Sequence, residues 1–548
     1  MKIIYLFLFF FSVGVLAQVN SPPYAPPGAL TKPNLDTFSY DIGVNRYDKD
    51  YYLYFAPSFN MNFSNKWGFS LQVPLNILAY DNDPKLPNSK AGMLRPGDYN
   101  SRADYQRILN YIWVGNYGVY EPRKVTYSLY AGKMFDGQIG HGTIVNRYVN
   151  NQRVDYYKIG VQADINTDYG GVQVFTNSVH DKEVNAGRVY IRPFGIGYGL
   201  YELIRGRNAT VTMMTGNVID EAGRKKVIEE VDKEETREEK YVVVERDPKT
   251  GEMVEKEKTV PVKDQKAKKD RDDSPNKDLM DSIWNRFAVG YTSAYDGRAP
   301  NALEFDTTGN LKFDENNMPK VKRDKRLSIE GYDVEFKPIS KSWIELTTYY
   351  DYNRIRHLDN SRGRHTGVIL KLGSRDYNIT IRPEFRRMSA NYIPIYFDSF
   401  YEIERYQANL DSSFPQTKYE RLEALPSSNA KEVSGYYHTV IVMLKRIGFE
   451  GNYEDYAGKD NSRVFVGAYV PIGQMFRLSA FYTKKGFDKS SEAFKVDDRA
   501  QGAGELAINF GSMTLKFQNR RRWVLDPELN QFKAKDEQLF LVSGGTSF

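Results

Sequence analysis

Cysteine is absent from all 548 residues. No disulfide, thiolate nucleophile or cysteine-ligated metal can therefore contribute to this chain. Histidine is scarce, with 5 residues, and no dinucleotide-binding or P-loop fingerprint occurs. Beyond the first residues no apolar run approaches the roughly 20 residues that a membrane-spanning helix needs. A one-sided charge is missing too: 76 Lys and Arg face 70 Asp and Glu, a net +6 that is small for this length and does not nominate nucleic acid as a partner. Against these gaps stand 41 Tyr, 31 Phe and 42 Gly in a chain that is 27% charged. So polar yet aromatic-rich a composition favours one very large architecture over several soluble domains.

Residues 1–17, MKIIYLFLFFFSVGVLA, carry one Lys, an apolar run and small residues at the positions a signal peptidase reads. This predicts export, with cleavage before Gln18. Residues 18–36 contain Pro22, Pro23, Pro26, Pro27 and Pro33 and read as an extended periplasmic leader, too short for a plug domain.

From Tyr51 the hydrophobic period is two. Tyr51, Leu53, Phe55, Phe59, Met61 and Phe63 share one face, and after the turn Ser64-Asn65-Lys66 the alternation resumes through Trp67, Phe69, Leu71 and Val73. Comparable runs recur to the end of the chain, among them 157–165, 187–194, 287–295, 343–351, 377–386, 437–444, 476–487, 513–520 and 539–548. Many exceed the usual five or six residues of soluble strands and reach the 9 to 11 that a tilted strand needs to cross a bilayer. Short turns alternate with long polar loops such as 81–101 and 389–432. The pattern predicts an all-β fold: a closed transmembrane antiparallel β-barrel of about 20 strands (18–22), spanning residues 37–548, with short periplasmic turns and long loops.

The polar face then lines a lumen. Arg188, Arg192, Arg382, Arg386, Lys516 and Arg520 alternate onto it beside Asp164, Glu345, Glu384 and Glu505. Opposed rows of inward charge set a transverse field that filters solutes, or else pair across strands and stiffen the wall. Arg354, Arg356, Arg362 and Arg364 fall in one loop region, where they form a positive constriction or cap the outer rim against anionic lipid.

The chain ends Leu539-Phe-Leu-Val-Ser-Gly-Gly-Thr-Ser-Phe548. Phe540, Val542 and Phe548 resemble the C-terminal assembly signal of bacterial outer-membrane β-barrel proteins, from which Gly544 and Thr546 depart. The resemblance implies a porin-like barrel in the outer membrane of a diderm bacterium, with outer-membrane lipid and the barrel-assembly machinery as partners. Trp67 and Trp343, each opening a strand after a short turn, suit an interfacial aromatic girdle.

One segment breaks the rhythm. An insertion at about 205–284 is dominated by charges of both signs, with a small strand and turn at Tyr241–Glu252. Counting strands back from the short turn at Ser340-Lys341 places it on the periplasmic side. His141 sits in Ile139-Gly-His-Gly-Thr143 with no nucleophile in a recognised spacing, and His357 and His365 lack a helical metal-pair spacing, so neither an enzyme nor a metal or cofactor is expected. The expected function is a passive channel for small hydrophilic solutes with a weak anion lean. Two alternatives remain open: a surface-binding barrel using Tyr392, Tyr396, Phe397, Phe400 and Tyr401, and a gated export or assembly barrel that docks a periplasmic partner through the insertion.

Overall fold

The computed structural model describes residues 23–24, 36–47, 49–63, 66–82, 90–95, 97–101, 103–115, 118, 120–121, 124–152, 157–181, 183–204, 236–246, 253–263, 286–314, 318–374, 376–408, 415–426, 430–511, 513–526 and 531–547. The segment read as a signal peptide, most of the segment read as a leader, Phe548 and most of the charged insertion lie outside the described residues.

One sheet contains β1 (Thr37–Tyr47), β2 (Asp50–Phe63), β3 (Trp67–Gln72), β4 (Leu75–Tyr80), β5 (Leu109–Gly115), β6 (Thr126–Gly132), β7 (Gly160–Asn166), β8 (Gly170–Thr176) and β9 (Val184–Ile191). After the insertion, which holds β10 (Thr236–Arg246) and β11 (Met253–Lys263), the sheet continues with β12 (Phe287–Leu303), β13 (Val321–Lys341), β14 (Ile344–Ile355), β15 (Arg362–Gly373), β16 (Tyr377–Met388) and β17 (Val433–Leu444). The last strands are β18 (Ile447–Tyr456), β19 (Ser462–Ile472), β20 (Phe476–Phe487), β21 (Ala500–Phe510), β22 (Met513–Asp526) and β23 (Gln531–Ser547).

All pairings are antiparallel between neighbours, and β9 pairs with β12 across the insertion. β3 and β4 take the same edge of β2, at Ser58–Phe63 and Tyr51–Phe55, so they form one stave broken at Val73-Pro74. The 21 strands of the sheet therefore make 20 staves. β1 closes against β23 from Thr37↔Ser547 to Tyr47↔Glu537. Closure satisfies both edges, as it must where no water can hydrogen-bond to a free strand.

Side-chain placement inverts that of a soluble protein. Leu53, Phe55, Val172, Val189, Val334, Phe385, Phe449, Phe517 and Phe540 are exposed on the outer face, while Asp41, Asp164, Arg188, Asp333, Glu384, Arg386 and Lys516 from the same wall are buried inside. An apolar exterior around a polar interior is the arrangement of a transmembrane β-barrel. Phe540 and Val542 face outward on β23, opposite Val44 and Ile42 of β1.

The two ends differ. At the end holding Thr37 and Ser547, several connections have two or three residues, as at 64–66, 167–169, 342–343, 445–446 and 511–512. At the other end lie the segments 81–108, 133–159, 304–320 and 389–432. Trp67 and Trp343 are exposed at the short-turn end. The chain also leaves β9 and returns to β12 at this end, by way of α1 (Pro193–Ile204), so the segment 193–204 adds no stave. A second compact unit, Tyr198–Met280, contains the hairpin of β10 and β11, in register from Thr236↔Lys263 to Arg246↔Met253.

Two boundaries differ from the sequence reading. β12 runs well past the alternation read over 287–295, because register shifts between Asp296 and Ala299, and again at Pro300 and Ala302, absorb the residues that break the period. β5, Leu-Asn-Tyr-Ile-Trp-Val-Gly, carries too few polar residues to show a clean period of two.

Candidate functional site: a lumen with two inward loops

Twenty staves about 4.8 Å apart and tilted about 40° enclose a cylinder about 40 Å across, too wide for wall side chains alone to fill. Two loops from the long-loop end occupy part of it. Loop A (133–159) folds on itself through Gly137 and Tyr148, whose N–H groups donate to each other's carbonyls at 3.0 Å. Loop B (389–432) docks on it by a short parallel ladder: Asn146 N–H to Phe397 O, Phe397 N–H to Ile144 O and Ile395 N–H to Thr143 O, each 3.1 Å.

Their apolar side chains make a core inside the barrel. Ile139, Ile144, Val145 and Tyr148 from loop A meet Tyr392, Tyr396, Phe397, Tyr401 and Leu422 from loop B, against Ala186, Ala294, Leu327 and Ile329 of the wall. The small inward alanines leave room for the loop aromatics. Each large apolar side chain buried this way contributes roughly 1.5–3 kcal/mol. The surface patch expected from Tyr392, Tyr396, Phe397, Phe400 and Tyr401 is thereby corrected, since all five are at most 3% exposed. Alternation cannot reveal a loop that turns inward to pack on another loop.

Ion pairs fix the loops to the wall. His141 Nδ1 lies 2.8 Å from Asp351 and its Nε2 2.9 Å from Glu335, with the ring stacked 4.3 Å from Tyr349. Burial alone would lower its pKa, but the two carboxylates outweigh that and raise it to about 10, so His141 is a cationic latch at neutral pH. Thr143 Oγ1 donates to the same Asp351 at 2.7 Å. In loop B, Lys418 donates to Glu404 at 2.6 Å, and Lys485 of β20 reaches Asp398 and Glu404 at 2.6 and 2.8 Å.

The charges read from the sequence as lumenal do face inward, and most meet a counter-charge. Arg382 and Arg386 both donate to Glu384, at 2.8 and 2.6 Å, beside His365 at 3.1 Å and Tyr349 at 2.5 Å. Arg386 also reaches Glu454 at 2.8 Å. Arg188 forks onto Asp333 at 3.0 and 2.5 Å, Lys516 donates to Asp41 at 2.9 Å, and Glu505 accepts from Arg477 at 2.6 Å. Glu345 pairs with Lys337 at 3.0 Å near the short-turn end. Asp164 is held by neutral donors, the Gly118 N–H at 2.9 Å and Asn166 at 2.6 Å. Arg192 donates to the Thr167 carbonyl, and Arg520 to Gln518 Oε1 at 2.6 Å.

Arg354, Arg356, Arg362 and Arg364 form no constriction. Arg354 and Arg356 clamp Glu330 at 2.8 and 3.1 Å with about half of each side chain exposed, and Arg362 faces Glu432 at 3.6 Å. In β14 the buried positions are Thr347, Tyr349, Asp351 and Asn353, so Arg354 takes the outward parity, as Arg364 does in β15 opposite buried His365.

Away from the loop core lies a cation cluster that sequence reasoning missed. Lys133, at the start of loop A, donates to Asn110 Oδ1 at 2.8 Å. Burial and the nearby guanidinium groups of Arg520, Arg107 and Arg522 hold its ammonium down at about 7. Arg107 pairs with Asp98 at 2.8 Å and lies 4.4 Å from the Tyr157 ring, and Arg522 reaches Glu537 at 2.5 Å. Lys133, Arg520 and Arg522 keep part of their surface accessible. Arg522 simply continues the inward parity of Lys516, Gln518 and Arg520 past the expected strand end. Lys133 has the wrong parity for a lumen residue, and it turns inward because Gly132, at φ 148°, ends the alternation.

The leader contributes one more side chain. Tyr24 is 8% exposed and sits within the barrel, its hydroxyl donating to Glu450 at 2.8 Å. The expectation of a wholly periplasmic leader is corrected at this residue.

No family model matches the chain, and no curated protein matches it. Among solved structures, Pseudomonas aeruginosa OpdL is 8% identical with a TM-score of 0.28, over 94% of this chain and 99% of that one. The outer membrane protein opdK from Pseudomonas aeruginosa is 6% identical with a TM-score of 0.28, over 94% and 98%, and Pseudomonas aeruginosa OccK11 (OpdR) is 8% identical with a TM-score of 0.29, over 94% and 95%. Superpositions this loose leave the reading to the chain's own geometry.

Proposed function

We propose that this chain is an outer-membrane channel, without catalytic activity, that passes small hydrophilic solutes along the cation-bearing sector of its lumen. The apolar exterior requires a bilayer, and export to the outer membrane follows from the N-terminal segment and the barrel together. The observation that carries the anion lean is the cluster of Lys133, Arg107, Arg520 and Arg522. Four cations near one another, two of them bonded to amide oxygens rather than carboxylates, leave a positive field in accessible space. A passing anion relieves that repulsion, and a cation adds to it.

Outer-membrane lipid and the barrel-assembly machinery are the natural partners of such a barrel. The charged insertion leaves the wall at the short-turn end, which supports a periplasmic location and keeps a docking role for it open. The surface-binding alternative loses its recognition patch, because the aromatics it needs are buried.

Planar-bilayer recording across a salt gradient tests the reading. The mature chain should give discrete conductance steps with an anion-shifted reversal potential, and the double variant Lys133→Glu, Arg520→Glu should move that potential toward cations. A folded barrel without steps in any variant, or a reversal potential that ignores both substitutions, overturns the proposal.

A further inference from the structure

From the contacts of Tyr24 we infer that the exported N-terminal segment is an intramolecular ligand of the lumen, seated in a site on the inner wall of β18, β19 and β20, where it narrows the channel. The binding half of this inference stands on geometry alone, and the narrowing half rests on the channel reading above.

The site recognises both backbone and side chain. Ser479 Oγ accepts from the Tyr24 N–H at 2.9 Å and donates to the Tyr24 carbonyl at 2.6 Å, a fork that fits an extended peptide. The phenol donates to Glu450 Oε2 at 2.8 Å, and the ring packs 5.8 Å from Phe465. Burial, then Glu450, pushes this hydroxyl well above the usual tyrosine range, so it remains a neutral donor. Opposite the ring the wall has Gly467, and a Cβ there would lie 2.6 Å from Tyr24 Cζ. A notch formed by a missing side chain, with a fork beside it and an acceptor at its far end, is a built pocket for a tyrosyl residue.

Loop A closes the same pocket. Arg147 pairs with Glu450 Oε1 and stacks 3.5 Å from the Phe465 ring centroid. It does so from a left-handed backbone conformation, φ 51°, which a non-glycine residue holds only when surrounding contacts over-determine it. Glu450 thus joins the leader to the loop that fills the lumen.

Position and reach agree. Glu450, Gly467 and Ser479 lie a few residues from the short-turn end of their strands, the end at which Thr37 begins β1. β19 is five staves from β1 by way of β23, β22, β21 and β20, an arc of about 24 Å at 4.8 Å per stave. Thirteen residue steps from Tyr24 to Thr37 span up to about 45 Å, so the segment reaches the pocket without disturbing the wall.

The chain's lack of cysteine makes the test clean. Tyr24→Cys combined with Ser479→Cys in the full mature chain should form a disulfide during oxidative refolding, read by non-reducing mobility and peptide mass, whereas Tyr24→Cys with Gln518→Cys should not. In bilayers the cross-linked barrel should conduct at least two-fold less than the same sample after reduction. Gly467→Ala, which fills the notch and leaves the leader intact, should raise mean conductance by a similar factor. No cross-link with Ser479→Cys, or equal cross-linking with Gln518→Cys, overturns the binding site. A cross-link that leaves conductance equal before and after reduction overturns the narrowing. If every variant is silent, including one lacking residues 18–32, the channel reading and the narrowing fall together, while the cross-link still decides whether the segment binds.

Discussion

Around β16, Glu384 receives Arg382 and Arg386 at 2.8 and 2.6 Å, and none of the three is more than 8% exposed. Around β22 and the start of loop A, Arg520 and Lys133 donate to amide oxygens, at 2.6 and 2.8 Å, and keep partial access to the lumen. The same side-chain chemistry on the same wall is neutralised in one sector and left in excess in the other. The inward loops account for the difference. Where loops A and B pack, water is displaced and each charge must meet a partner or lose several kcal/mol of solvation. Where they do not, the four cations outnumber the carboxylates they contact, Asp98 and Glu537, and their field stays available to solutes. Filling part of a wide barrel therefore defines the path through it.

Breaking the neutralised sector should have the largest effect. Glu384→Ala removes the shared acceptor of Arg382, Arg386, Tyr349 and His365 and leaves two guanidinium groups buried without it. A loss of about 3–5 kcal/mol is expected, measured by urea unfolding in micelles through the heat-dependent shift in gel mobility. Glu537→Gln, which weakens the contacts of Glu537 with the partly accessible Arg522 and with Asn45 but keeps an acceptor oxygen in place, should cost about 1–2 kcal/mol. Equal losses at the two sites would mean that the sectors do not differ in solvation.

The next effect is on selectivity rather than stability. The Lys133 ammonium sits at about 7, below the 10.5 of a free lysine. It is charged at pH 6 and mostly neutral at pH 8, so the anion-shifted reversal potential should shrink across that interval, with a midpoint near 7. The linked stability has a matching sign: burying this cation is unfavourable below about pH 7, and the penalty is relieved as pH rises toward 10.5. Lys133→Gln should flatten the selectivity profile over this range, and a profile that persists in the variant would assign the titration to another group.

The sequence discloses the wall far better than its contents. Alternation is a local signal, and it places Arg188, Arg382, Glu384, Arg386 and Lys516 on the inner face because each strand has only two faces. Thr37–Tyr47 is the first strand of the barrel expected from residue 37 onward. Partners are not local: Lys516 meets Asp41 and Ser479 meets Tyr24 across more than 450 positions of chain. Five of the aromatics of loop B, Tyr392, Tyr396, Phe397, Phe400 and Tyr401, would suit an exposed patch equally well, and the loop A ladder at Phe397 turns them inward. Lys133 escapes because one glycine interrupts the period just before it. Composition and periodicity thus describe a surface, while the charge balance of the lumen depends on which distant segments enter it.

The smallest effect belongs outside the lumen and supplies the control for both sectors. Arg354 and Arg356 hold Glu330 at 2.8 and 3.1 Å, distances comparable to those of pairs inside, but their side chains are 49% and 59% exposed. Solvent screening should reduce such contacts to far less than a desolvated pair contributes, despite their good distances. Arg354→Ala is therefore expected to shift urea unfolding only slightly, in a manner that added salt erases, and to leave conductance and reversal potential unchanged. A loss approaching that of Glu384→Ala would show that the outer rim is as desolvated as the loop-filled lumen, and distance rather than access to water would then set the strength of ion pairs throughout this barrel.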